Sequence, residues 1–436
     1  MSSAQNAAST KADAQKDVKN ARQLLQPARG THDLLPETAR RFRHIEETAL
    51  EVFGRYGFGE IRTPIFEFTE IFSRNVGDST DIVTKEMYNF EDRGGESLTL
   101  RPEGTAPVVR AYYSNGLKKD LPLKLCYVST PMFRYERPQK GRMRQHHQVG
   151  AEIFGIADPM AEVELLSMAF RFLKAINVGE GLYVELNSLG DMADRARYRE
   201  ALLHYLRPHA DKLSEDSKIR LERNPLRVLD SKDPADIAIV AEAPQMHNYL
   251  SEESMVHFKA VQKGLDALGI QWKHNPNLVR GLDYYSHTVF EVHSDALGAQ
   301  SQVLSGGRYN GLIGQMGGDD VPAVGFGSGM ERFEALMPEL PPLPRPIAIV
   351  AMGESARNAA MKLSEDLRTE GYIVAMPLEE TSFKSQFKKA DKANANWTLI
   401  LGEDEVSKGE CGVKNMETGE QTTLPLADVV AFVNKK

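Results

Sequence analysis

The stretch FRYERPQKGRMRQHHQVGAEIFG, Phe133–Gly155, decides the fold. An arginine ends one strand-like run, a loop gathers Arg137, Lys140, Arg142 and Arg144, and a second strand-like run leaves with Gln148 and Glu152. The upstream run, LKLCYVSTPMFRYE, is rich in β-branched and aromatic residues, so the whole reads as a hairpin of two long strands. Similar runs recur in SLTLRPEG, YSHTVFEVH and VPAVGFGSG, separated by glycine-bearing turns or by helices. Together they predict one α+β domain on a largely antiparallel sheet. Towards the N-terminus, residues about 37–57 carry apolar positions at helical spacing, and GFGEIRTPIFEF then alternates like a strand. Pro64 within it confines that strand to an edge or a bulge.

Residues about 191–268 hold helix patterns almost alone (MADRARYREALLHYL, DPADIAIVAEA, EESMVHFKAVQKGLDAL), which reads as a helical insertion. The strongest boundary is PELPPLPRP, Pro338–Pro346, because dense proline stiffens the chain and forbids a regular element. Beyond it IAIVAM, YIVAMP and WTLILG alternate with helix patterns near 355–370 and 382–395 as βαβαβ, a small α/β domain. The expected division is a disordered tail over residues 1–25, the α+β domain over 26–337, a proline linker over 338–346 and the α/β domain over 347–436. No internal repeat is visible.

The 436 residues hold 53 Lys+Arg against 61 Asp+Glu, a net charge of -8, which argues against a general nucleic-acid coat but leaves room for a local basic patch. No apolar run reaches the roughly 18 residues of a membrane span, so no membrane partner is expected. Cys126 and Cys411 lie too far apart for a CxxC knuckle, and two cysteines make no disulfide framework. A reducing cytoplasm suits them. The N-terminal stretch mixes lysines with aspartates and lacks the apolar core of a secretory signal.

Two features carry chemistry. The cations of the Phe133–Gln145 loop suit a polyphosphate, because arginine's planar fork binds phosphate oxygens bidentately; a solvated basic hairpin is the other reading. In GFGSGMERF, glycines at 325, 327 and 329 precede a helix opening near Met330 with Arg332 in its first turn. Glycines there let a nucleotide approach the backbone and a helix start favours an anion, although a tight strand-to-helix turn reads the same. No GxxxxGK[ST] loop occurs, so a nucleotide must be held another way. His146 and His147 are strand neighbours that face opposite ways, and no third ligand lies at useful spacing, so no metal site is expected.

A Pro-bearing strand after a long helix, a hairpin with FRYERP, and a glycine strand running into GMERF resemble, in that order, the three signature motifs of class II aminoacyl-tRNA synthetases. Within that class RGLDYYSHTVFE (Arg280–Glu291) and GGRYNGL (Gly306–Leu312) are similar to the motif pair of the histidyl family. The resemblance runs from about residue 29 to the C-terminus and implies an antiparallel-sheet catalytic domain with a helical insertion, followed by an α/β anticodon-binding domain. It implies ATP-dependent activation of L-histidine, transfer to tRNA(His), Mg²⁺ bridging the phosphates of ATP, and a homodimer.

By that resemblance Arg280 reaches the α-phosphate and the substrate carboxylate, and Arg134, Arg142 and Arg332 bind the phosphates of ATP. Glu103 and Thr105 receive the substrate ammonium with Gln148 beside them. Glu152 and Tyr285 serve the imidazole nitrogens and Tyr309 closes the pocket. Tyr284, as the strand neighbour of Tyr285, is assigned to the core. Two positions depart from the family pattern. His146 stands where relatives commonly place a phenylalanine under adenine, and Asn310 where they read GGRYDGL. The alternatives are a histidine-binding paralogue such as the regulatory subunit of ATP phosphoribosyltransferase, which lacks the terminal domain, and a glycyl or prolyl synthetase, which lacks RGLDYYSHTVFE.

Overall fold

Helix Pro36–Arg55 opens the fold: proline sits in its first turn with Glu37, Arg55 ends it, and Phe42, Ile45, Ala49, Val52 and Phe53 bury one face. The three- and four-residue spacing of those side chains is what makes a single apolar stripe on a helix. The computed structural model describes residues 25–73, 82–138, 143–295 and 301–435. The proposed tail up to residue 24 and, in the basic loop, Lys140 and Arg142 lie outside the described residues. The chain divides after Pro338 into two units, each described by itself below.

The first unit contains strands β1 (Gly59–Glu60), β2 (Phe66–Phe68), β3 (Tyr88–Glu91), β4 (Ser97–Leu100), β5 (Leu123–Phe133), β6 (Gln145–Phe154), β7 (Leu182–Ser188), β8 (Trp272–His274), β9 (Ser286–Ser294), β10 (Gln302–Arg308) and β11 (Ala323–Gly329). Eight of them form one sheet in the order β1-β5-β6-β11-β10-β9-β7-β8. Its interior pairs are antiparallel, and its two outermost pairs, β1 with β5 and β7 with β8, are parallel. The expected hairpin is β5 and β6, whose register slips between Tyr127 and Thr130.

The stretch GFGEIRTPIFEF is not one strand. It breaks between β1, in the large sheet, and β2, in a separate three-stranded sheet ordered β2-β4-β3. Pro64 has no N–H for a ladder, and the Arg101 guanidinium takes the carbonyls of Thr63 and Pro64 at 2.7 and 3.0 Å, which fixes the break. Strands β3, β7, β8 and β10 also escaped the sequence reading. β8 is three residues at the far end of the helical insertion and returns it to the sheet edge beside β7.

The insertion itself holds helices Met192–Leu206, Glu215–Arg223, Pro234–Val240 and Glu252–Ala267. Asp236 ties its small pieces together by accepting hydrogen bonds from the hydroxyls of Ser214, Ser217 and Ser231 at 2.7, 2.6 and 2.6 Å. Burial opposes its charge, but those donors prevail and hold its pKa at about 2.

The second unit contains β12 (Ile347–Ala351), β13 (Val374–Ala375), β14 (Trp397–Leu401), β15 (Glu410–Asn415) and β16 (Gln421–Pro425) in the order β13-β12-β14-β15-β16. The first three are parallel and alternate with helices Glu354–Thr369 and Phe383–Lys392, as the βαβαβ pattern requires. The antiparallel pair β15–β16 adds an edge the sequence reading missed, since β16 is almost wholly exposed and carries little apolar signal.

Candidate active site

One face of the large sheet is floored by glycine. Across it, register pairs Tyr127 with Gly150, Gly150 with Gly327, Gly327 with Ser305, and Ser305 with Glu291. Side chains two residues apart share a face, so Gln148 and Glu152 flank Gly150 on this side. The bare positions are required. A Cβ on Gly325 would run into the Glu152 carboxylate, and one on Gly104 or Gly150 would run into the Tyr127 ring. No sequence reading found Tyr127; the glycines that make room for it lie on other segments and meet it only in the folded sheet.

At one end of this face lies an enclosed acid. Glu152 has no exposed surface and accepts from the Thr105 hydroxyl at 2.8 Å and from the Tyr309 hydroxyl. Burial nevertheless drives its pKa from 4.5 to about 8 against those bonds, with the Glu103 carboxylate adding repulsion. Glu103 accepts from the backbone N–H groups of Thr105 and Ala106, both at 2.8 Å, at the start of helix Thr105–Ser114. Burial raises it too.

Tyr284 and Tyr285 precede β9 instead of lying in it, so the strand rule that sent them to opposite faces does not apply. Both are buried, with ring centroids 4.7 Å apart, and both rings pack on Tyr309, at 5.6 and 6.5 Å. Tyr284 is core as expected, in the same buried cluster as Tyr285 and Tyr309, so the three tyrosines wall one corner together.

The other end is a cleft of about 290 Å³ lined by Arg134, His146, Gln148, Arg280, Arg332 and the segment Gly327–Gly329, with Glu86, Glu136 and Glu331 at its border. The backbone holds Arg134 in place: its N–H bonds to the Arg144 carbonyl at 2.8 Å and its Nε to the Pro102 carbonyl at 2.9 Å. Arg280 binds Glu291 through Nη1 and the Ser305 hydroxyl through Nη2 at 2.7 Å, while its buried Nε has no acceptor among the described residues. Arg332 donates to the Gln302 carbonyl. Helix Met330–Leu336 is short, and Glu331 occupies its first turn, so the cationic character of the cleft comes from arginine side chains and not from a helix end.

His146 and His147 do diverge. His147 turns away to Glu331 at 3.0 Å and to the edge of Phe42, while His146 lines the cleft, where burial and then the Arg134 charge push its pKa down to about 3. A neutral ring that accepts stacking is what such a shift leaves. Asn310 accepts from the Ala323 N–H at 3.2 Å and from Arg308 at 3.4 Å through the same oxygen. Among the described residues no three His, Cys, Asp or Glu side chains converge as a metal set.

An antiparallel sheet carrying arginines beside a buried hydrogen-bonding pocket, with the three motifs in order along it, defines the catalytic domain of a class II aminoacyl-tRNA synthetase. The histidyl-tRNA synthetase family model matches residues 30–333 and an anticodon binding domain model matches residues 346–436. The chain belongs to the histidyl-tRNA synthetase family. It is 51% identical over 410 residues to the histidine–tRNA ligase of Rhodospirillum rubrum and 49% over 409 residues to that of Gluconacetobacter diazotrophicus, in each case covering 94% of this chain and 98% of the relative. The solved structure of apo Staphylococcus aureus histidyl-tRNA synthetase superposes with a TM-score of 0.79 at 35% identity, covering 94% of this chain and 99% of that one.

Proposed function

We propose that the chain activates L-histidine with ATP to histidyl-adenylate and transfers the histidyl group to tRNA(His), with Arg280 as its principal catalytic cation. The observation that carries this reading is the pairing on one sheet face of a buried hydrogen-bonding corner, Glu152 with Thr105 and Tyr309, and an arginine cleft that begins at Gln148. A histidine carboxylate oxygen attacks the α-phosphorus, the bond to the bridging oxygen breaks, and pyrophosphate leaves. No enzyme nucleophile is needed, so the protein's work is positioning and charge neutralisation. Arg280, whose buried Nε has no acceptor among the described residues, is suited to the charge that builds on the α-phosphate. Arg134 and Arg332, with Arg142 from the loop beyond the described residues, take the other phosphates, and His146 lies under adenine.

Mg²⁺ fits here as an ion carried on ATP. Among the described residues the chain gathers no cage for it, so phosphate oxygens would supply most ligands and Glu86 or Glu136 at the border one more. It would neutralise the leaving pyrophosphate. Glu103 and Thr105 receive the ammonium, and Tyr285 with Glu152 the imidazole. The half-exposed Ile65, Phe66, Phe68 and Phe90 on and beside the small sheet support a homodimer, as an apolar face that a second copy would cover. A cytoplasmic setting suits two buried, free cysteines, and among the described residues no helix is long and apolar enough to cross a membrane.

Histidine-dependent ATP–pyrophosphate exchange, compared across the other amino acids, tests the reading. Exchange with histidine alone supports it. Histidine binding without exchange would instead make the chain a regulatory paralogue, a reading that the presence of the anticodon-binding domain disfavours.

A further inference from the structure

Behind Arg280 stands a second layer that the adenylate reading does not use. Glu291 Oε1 receives both Arg280 and the Gln302 side-chain amide, the latter at 3.2 Å. Its other oxygen, Oε2, faces Nε2 of His293 at 3.4 Å, and Glu185 Oε2 lies 3.9 Å from the same nitrogen. Nε2 is buried and in hydrogen-bond geometry with neither carboxylate, but two carboxylates converging on it at these distances favour a proton there. The opposite nitrogen, Nδ1, lies 2.8 Å from the Ser301 hydroxyl, which in the neutral ring donates to it and so keeps the proton on Nε2. Tyr183 stacks on the ring at 5.3 Å and 15° and itself carries the Lys273 ammonium over its ring at 3.8 Å, which restrains the imidazole. Burial alone would raise the Glu291 pKa, but His293 and Arg280 together hold it below the usual carboxylate range.

We propose that His293 is a positioning residue for adenylate formation: by holding Oε2 of Glu291 it fixes the carboxylate plane that aims Arg280 into the cleft. Without it Oε1 keeps two donors while Oε2 is left without the donor facing it, so the carboxylate can rotate and carry the guanidinium with it. Ser301 acts one step further out, by selecting the tautomer. The proposal rests on the reading of Arg280 as the catalytic cation.

The test is ATP–pyrophosphate exchange by the full chain with His293→Leu, His293→Gln, Ser301→Ala, Glu291→Gln and Arg280→Ala. His293→Leu is expected to lower kcat about tenfold with both KM values within about twofold, the mark of lost aim and not of lost binding. His293→Gln, which returns an N–H at similar reach, should recover at least about half the rate, and Ser301→Ala should cost about threefold. In a Glu291→Gln background, His293→Leu should change nothing further, since the two act as one unit. If His293→Leu and Ser301→Ala both exchange at the wild-type rate while Arg280→Ala is inactive, the positioning role is wrong and the function stands. An equal loss from His293→Leu in both backgrounds overturns it as well, because His293 would then act without Glu291. Wild-type exchange by Arg280→Ala would instead remove the mechanism underneath it.

Discussion

At the histidine end of the site a carboxyl is wholly enclosed, floored by Gly325 and met by two hydroxyls, whereas at the phosphate end permanently charged guanidinium groups line an open cleft beside His146. The two ends handle charge oppositely. Enclosure raises Glu152 to about 8, so its ionisation is negotiable and its hydrogen bonds decide what fits. Arginine stays charged whatever its setting, so the cleft discriminates by number and placement of charges and tolerates water. On the proposed function selection would belong to the first end and rate to the second, and the predictions below strike one end or the other, the last striking neither.

The largest effect is expected from Arg280→Ala. Adenylate formation should fall by about a thousandfold or more, because the charge matters most as the α-phosphate becomes more anionic. Thermal stability and histidine affinity should change far less. Burst formation of adenylate in rapid quench checks it, and an unchanged burst would erase the distinction between the ends.

Glu152→Gln and Tyr285→Phe strike the other end. Each should raise the KM for histidine by about tenfold to a hundredfold and that for ATP by less than about threefold, since an unpaired polar atom in an enclosed pocket is penalised strongly. Equal losses for both substrates in steady-state exchange would show that the corner does not face imidazole.

Legibility in the sequence followed the same division. Arg134 at a strand end, Arg280 beside a glycine and Arg332 in a first helical turn are visible locally as cations, but their roles came from the motif resemblance; all three line one cleft. Glu103, Thr105, Glu152 and Tyr309 come together through register between distant strands and a helix start, which motif resemblance supplied and spacing could not. Tyr127 stayed hidden because its meaning lies in Gly104 and Gly150 opposite. Tyr284 is core as expected, although the strand argument behind that reading fails because β9 begins only at Ser286. The hairpin β5–β6, β9, β11 and the first three strands of the second unit were readable; β7 and β10 were not read as strands, and β3, β8 and β16 are short or exposed and depend on neighbours for their pairing.

The enclosed acid should also show in stability. Glu152 titrates at about 8 in the folded chain against 4.5 ordinarily, so between those values the folded state holds a proton that the unfolded state has released, and stability falls as pH rises. His146 works the other way. Its pKa is lowered from 6.5 to about 3, so across that window the unfolded state binds the extra proton and stability rises with pH. Above pH 6.5 the histidine no longer contributes, which leaves Glu152. The ligand-free protein should therefore lose a few degrees of Tm, about 2–4 °C, between pH 6.5 and 8, and Glu152→Gln should flatten that fall in part. Parallel Tm curves for the two proteins would show that Glu152 is ionised in the folded state, and the contrast between enclosed and open charge would lose its basis.

The smallest effect is expected away from both ends, on helix Phe383–Lys392 of the second unit. Lys384, Lys388 and Lys392 recur every four residues and are exposed, while Gln386 and Ala390 are buried, so the lysines share a stripe of the helix that the small domain's core does not use. A lysine stripe on a chain of net charge -8 is a candidate seat for tRNA phosphates. Replacing the three by alanine should raise the KM for tRNA severalfold and reduce the slope of log affinity against log salt by about 0.7–0.9 for each phosphate no longer neutralised. Pyrophosphate exchange, which needs no tRNA, should not change. An altered exchange rate would mean that the stripe supports the site itself. Unchanged tRNA affinity at every salt concentration would mark it as a solvated face, and the anticodon-binding domain would then hold its nucleic acid through other residues.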